Sequence, residues 1–229
     1  MHSREYTPDE LLDTLSEVER QYAPAKLFLA GDPLLAQEGT RVAIVGSRKA
    51  SKEALTRAAK LARKLVEAEV TVVSGLALGV DTAAHEAALR AGGRTIAVLG
   101  TPLDQTTPTR NRELQAHIMT EHLAVSQFEQ GSRVYPGNFP LRNRTMALLS
   151  EATVIVTAEA KSGTESQAWE AIRLGRALFI LRSLAERTDE VPWIAKVLEY
   201  GAHVLDEETL PYILEGLPSR SSSGATVAF

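Results

Sequence analysis

The chain has 229 residues, 44% of them hydrophobic and 24% charged, enough for one well-buried core and better suited to one α/β domain than to two. It contains no cysteine, which excludes disulfides, thiolate metal sites and cysteine nucleophiles and fits a cytoplasmic setting. A formal net charge of -4 argues against general attraction to polyanions, so any phosphate site must rest on cations clustered locally.

The opening Met1-His2-Ser3-Arg4-Glu5 has no apolar region, so no secretion signal is expected. Nor does any apolar run approach the roughly 20 residues that span a bilayer, and no membrane association is expected. Residues 1–40 read as an N-terminal, helical extension. Thr7-Pro8-Asp9-Glu10 resembles a helix cap and predicts a helix to about Glu19. Gly31-Asp32-Pro33 is a turn between Leu27-Phe28-Leu29 and Leu34-Leu35.

From residue 41 to 217 the pattern is strand, glycine-containing turn, helix, repeated. Strands are predicted at residues 42–45, 70–73, 95–99, 153–156 and 177–181, with a weaker one at 123–125. Helices are predicted at 54–68, 81–90, 109–121, 164–174, 192–200 and 207–215, with another closing at 146–149. Asp81 reads as a helix cap, and Gly92-Gly93 and Gly175 as stops. Near-continuous apolar strands alternating with helices predict an α/β, Rossmann-like, mostly parallel sheet with helices on both faces. Residues 218–229, with Ser219-Arg220-Ser221-Ser222-Ser223-Gly224, read as a flexible tail.

In such sheets ligands gather at the carboxyl ends of the strands. Four segments follow strand ends and are expected on one rim. Gly46-Ser47-Arg48 offers backbone N–H groups, a hydroxyl and a charged fork for phosphate, although an ordinary strand-to-helix turn has the same composition. Ser74-Gly75, continued by Gly79, Asp81 and His85, suits a loop folding over a phosphate or sugar; Asp81 and His85 equally suit a structural pair. Arg142-Asn143-Arg144, with Arg133 and Tyr135 nearby, makes a basic patch with aromatic residues interleaved. Lys161-Ser162-Gly163-Thr164 combines a lysine, two hydroxyls and a helix N-terminus into an anion nest, with Glu159 placed to pair with a rim arginine. No motif for a cofactor or metal is present; the five histidines are scattered.

In this order the segments resemble the DNA-processing protein A (DprA/Smf) family. The resemblance rests on Val-Gly-Ser-Arg at 45–48, Val-Ser-Gly-Leu-Ala-x-Gly-Val-Asp-x-x-Ala-His at 73–85 and Thr-Ile-Ala-Val-Leu-Gly at 95–100. Phe-Pro-x-Arg-Asn-Arg at 139–144 and Glu-Ala-Lys-Ser-Gly at 159–163 complete it. The resemblance implies a protein that binds single-stranded DNA without catalysis, hands it to RecA during DNA uptake and recombination, and forms a homodimer. It implies Gly46, Ser47 and Arg48 for a backbone phosphate, Arg142, Asn143 and Arg144 for a groove, and Lys161, Ser162 and Gly163 for a second phosphate. The chain resembles a shortened or divergent member. Where that family usually has a Leu and a Thr-Ala pair, this sequence has Glu165-Ser166-Gln167-Ala168.

Two rival readings use the same rim. One is a sensor module that binds a nucleotide. The other is a LOG-type nucleoside monophosphate phosphoribohydrolase, in which Gln167 occupies the position of the required acid, and an amide cannot ionise.

Overall fold

A computed structural model of the chain describes residues 3–13 and 15–219. From residue 220 onward the expected tail lies outside the described residues. The N-terminal segment comprises β1 (Arg4–Tyr6), α1 (Pro8–Leu12), α2 (Glu17–Tyr22), β2 (Leu27–Gly31) and α3 (Leu34–Gln37). The single helix expected from Thr7 to Glu19 is two. Each starts with its own capping box, Thr7 with Glu10 and Ser16 with Glu19, and Asp13 at φ +65° ends the first. The helical extension also contributes two strands: β2 pairs antiparallel with β1.

The repeating part begins with β3 (Arg41–Val45), α4 (Lys52–Glu67), β4 (Thr71–Ser74), α5 (Val80–Arg90) and β5 (Thr95–Leu99). A 3-10 turn (Thr109–Asn111) leads into α6 (Arg112–Glu121), then β6 (Leu123–Ser126), α7 (Asn138–Leu148), β7 (Ala152–Ile155) and α8 (Gly163–Arg173). The chain continues through β8 (Ala177–Leu181), α9 (Arg182–Ala185), α10 (Trp193–Glu199), β9 (His203–Leu205) and α11 (Leu210–Gly216). No helix among the described residues is long and apolar enough to cross a membrane.

The nine strands form one sheet in the order β1-β2-β6-β5-β4-β3-β7-β8-β9. All neighbours from β6 to β9 are parallel, and β2 lies antiparallel on β6. This is the Rossmann-like α/β architecture. Alternate residues feed opposite faces, as the period of two requires. Ala43, Val45, Val73, Ile96 and Val98 join the core under α7, α8 and α10. Val42, Ile44, Val72 and Val154 join the core under α4 and α5. Strands buried on both faces explain the uninterrupted apolar runs.

The strand order reverses beside β3. The chain first adds β4, β5 and β6 on one side, then returns to lay β7 on the other, with Val45 opposite Ile155. Such a reversal opens a crevice between the loops that leave the two strands. At the far ends of the same strands the fully buried Arg41 pairs with Glu151, whose Oε2 also accepts the Arg41 N–H at 2.7 Å. Glu151 thereby ties the starts of β3 and β7 together and fixes where the crevice opens.

Candidate nucleic-acid interface

The β3–α4 loop forms one lip of the crevice. Gly46 is required by packing: a Cβ there would lie 2.6 Å from Cγ2 of Val80. The Ser47 hydroxyl accepts the N–H of Lys49 at 3.1 Å and donates to Oε1 of Glu159 at 3.1 Å. Arg48 is exposed and its guanidinium lies over the Phe139 ring, 5.4 Å from the centroid. Lys49, also exposed, faces the same cleft. Sequence reasoning missed Lys49, although a second cation directly after Gly46-Ser47-Arg48 was its signal.

The opposite lip is the loop after β7. The Trp193 indole N–H donates to the Glu159 carbonyl at 3.4 Å and steadies that loop. Glu159, expected to pair with an arginine, instead binds the Ser47 hydroxyl. Ser162 stands at the N-cap of α8 but makes no side-chain cap; its hydroxyl is shared with that of Thr164. The first-turn N–H groups of α8 therefore have no side-chain acceptor, and they carry the positive end of the helix dipole.

The two lips enclose a cleft of about 760 Å³. Gly46, Ser47, Arg48, Arg142, Asn143, Ser162, Gly163 and Thr164 all line it, joined by Tyr135 and Phe139. Tyr135 is 54% exposed, with the Arg133 guanidinium 5.4 Å from its centroid. Exposed cations, a helix N-terminus, the exposed Tyr135 ring and the half-buried Phe139 ring in one groove suit a chain of phosphates and bases.

Several expected contact residues serve the walls instead. Ser74 is fully buried and its hydroxyl donates to the Ile44 carbonyl at 2.6 Å. Gly75 makes room for an internal arginine rather than for a ligand: a Cβ there would lie 1.6 Å from Nη1 of Arg142. Arg142 is only 6% exposed. Its Nη1 donates to the Val98 carbonyl at 2.9 Å and its Nε to Oδ1 of Asn143 at 3.2 Å. Asn143 passes the connection on, donating to the Gly163 carbonyl at 3.1 Å. So Arg142 and Asn143 form the floor and hold the start of α8. Lys161 is exposed, between Glu159 and Ser162, and is not among the residues lining the cleft.

Arg144 turns away altogether. It pairs with Glu170 at 3.2 Å and stacks over Tyr22, 5.1 Å from the ring centroid. Residues i and i+2 on a helix point to opposite sides, and Arg142 and Arg144 obey that rule.

Burial holds the Asp81 carboxyl above its usual range, against the pull of Arg142 and of the Ala77 N–H. Burial also lowers the pKa of Arg142, opposed by Asp81. Asp81 is the second residue of α5 rather than its cap, which is Gly79, and accepts the N–H of Ala77 at 3.3 Å. His85 does not pair with it. Nδ1 of His85 meets the Thr95 hydroxyl at 2.7 Å, and burial, aided by the Arg142 charge, pushes its pKa down from 6.5 to about 3. This histidine is a neutral core residue, not an acid–base group.

The comparisons with known proteins agree on one family. Over 159 residues the chain is 41% identical to the DNA processing protein DprA of Streptococcus pneumoniae, covering 69% of this chain and 56% of that one. It spans about half the length of the curated relatives it matches. The crystal structure of DprA from Streptococcus pneumoniae superposes with a TM-score of 0.80 at 31% identity, over 95% of this chain and 75% of that one. DNA processing protein A from Helicobacter pylori, described for its unique single-stranded DNA binding mode, superposes with a TM-score of 0.79 at 30% identity, over 95% of this chain and 99% of that one. Residues 2–209 match the family model for DNA recombination-mediator protein A, and the chain belongs to that family.

Proposed function

We propose that this chain binds single-stranded DNA in the cleft at the strand-order reversal. The observation that carries the reading is the pairing of Arg48 and Lys49 on one lip with the uncapped start of α8 on the other. Phosphates meet cations and backbone N–H groups there, while Tyr135 and Phe139 offer faces on which bases stack. The Helicobacter pylori relative, described for its single-stranded DNA binding mode, supports the same reading. The reading extends to handing the strand to RecA, supported by the family's description as a recombination mediator, and to a homodimer.

Fluorescence anisotropy of labelled oligo-dT of several lengths, at two salt concentrations, tests the DNA reading. Affinity that grows with length and falls steeply with salt is the expected result. Tight binding of a mononucleotide with no length dependence would replace it with the nucleotide-sensor reading. Gln167 is buried at the position where a phosphoribohydrolase needs a carboxylate, so nothing there favours hydrolysis.

A further inference from the structure

The outer face of α4 concentrates positive charge that the cleft does not use. Seven of the chain's 25 lysines and arginines fall within residues 48–64, against one of its 29 acids, in a chain of net charge -4. Arg48 and Lys49 serve the cleft, and the other five stand on α4. Ala58, Leu61, Ala62 and Leu65 turn one side of α4 into the core, which leaves Lys52, Arg57, Lys60, Arg63 and Lys64 exposed on the other.

Spacings of four, four and three residues place Lys52, Thr56, Lys60 and Arg63 in one row along the helix. From Lys52 to Arg63 the row covers three turns, about 16 Å. Lys52 and Arg63 make no ion pair among the described residues. Lys60 pairs with Glu207, whose side chain is 80% exposed, and a phosphate readily displaces such a surface partner. The row starts at the cleft: Lys49 is on its lip, Ser51 caps α4 and Lys52 is the first helical residue. Because β3 and β4 are parallel, α4 runs back along the flank of the sheet, away from the crevice.

The row holds charge and no apolar side chain. A protein partner or a membrane surface needs apolar anchors to bury, whereas a chain of phosphates needs only cations at intervals. Continuity with Lys49 names the chain: the strand that leaves the cleft. We propose that α4 is a track for single-stranded DNA beyond the cleft, on which the backbone follows Lys52, Lys60 and Arg63 down the flank of the sheet. The track rests on the DNA reading and adds to it a second segment of contact, held by phosphate alone and blind to base.

The experiment measures affinity and salt dependence for oligo-dT of about 6 nucleotides, which the cleft alone holds, and of about 16, which reach the track. It compares the wild-type chain with Lys52→Gln/Arg63→Gln and with Arg20→Gln/Lys26→Gln, which removes the same charge from the N-terminal segment. The α4 variant is expected to bind the short strand as wild type does and the long strand about fivefold to tenfold more weakly. Its slope of log affinity against log salt for the long strand falls by about 1.4, the value for two phosphates on a single strand. The N-terminal variant is expected to match wild type at both lengths. Unchanged long-strand binding by the α4 variant would overturn the proposal. So would an equal loss in the N-terminal variant, which would mark a general effect of net charge, or an equal loss on the short strand, which would place these cations in the cleft. Absence of salt-sensitive binding of either strand by the wild-type chain overturns the DNA reading itself, and the track with it.

Discussion

Ser47 and Glu159 are joined by a 3.1 Å hydrogen bond across the crevice between β3 and β7. The acceptor is an exposed carboxylate, set on the lip beside Ser47, Arg48 and the start of α8. A phosphate bound there, as the proposed function requires, would take that hydroxyl from Glu159 and tolerate the neighbouring charge. Glu159→Gln keeps the shape and removes the charge. Its affinity for oligo-dT, read by anisotropy at low salt, is expected to rise about threefold to fivefold, the scale of one screened charge pair. Unchanged or weaker binding would show that the carboxylate does not oppose the ligand.

Arg48 and Lys49 are expected to act as phosphate contacts without base preference. Each single change to alanine weakens binding to dT, dA and dC strands alike. Each also lowers the slope of log affinity against log salt by about 0.7, the value for one phosphate on a single strand. Titrations at four salt concentrations measure the slope. A loss confined to one base would contradict this assignment.

Arg142 is expected to behave as a wall residue. Arg142→Ala leaves the buried Val98 carbonyl and Asn143 amide oxygen without their donor, at about 1–3 kcal/mol for each unsatisfied group, and opens a void against Gly75. Arg48→Ala, a surface change, stays within about 0.5 kcal/mol of wild type. Urea unfolding of the two variants separates the roles. Equal stability would return Arg142 to the ligand-binding set.

Acid is expected to weaken the fold through His85. The unfolded chain takes up the imidazole proton near pH 6.5, the folded chain only near 3. Between those values the unfolded state binds more protons, so stability falls as pH falls through that window. From pH 7.5 to 5 the loss from this residue is about 2 kcal/mol. Urea unfolding of wild type and His85→Gln at the two pH values measures it. The variant is expected to lose less by about that amount, and an identical pH dependence would contradict the assignment.

The framework was legible because strands buried on both faces leave long apolar runs, and the turns that follow them carry the rim. Gly46-Ser47-Arg48 and Ser162-Gly163-Thr164 were found that way and do face each other. Three features were not legible for identifiable reasons. Arg4-Glu5-Tyr6 is a polar edge strand, and a three-residue edge gives no alternation to detect. His203–Leu205 is equally short and hides between two helices. In the Arg142-Asn143-Arg144 segment, composition suggested one basic face. Helical geometry divides it, sending Arg142 under Gly75 and Arg144 to Tyr22. That helix begins at Asn138, so Pro140 lies in its first turn. Proline is tolerated there because first-turn N–H groups have no helical partner.

The hydrogen bond between Ser47 and Glu159 joins residues 112 positions apart. Its two lips share no local sequence and meet only when β7 has returned to the side of β3. A chain emerging from the ribosome that has yet to complete β7 carries Arg48 and Lys49 but no crevice. The cleft is thus absent until β7 and the loop after it have been made. Occupancy of it reports that β7 has joined β3, and any ligand bound there favours that joined state over every earlier one.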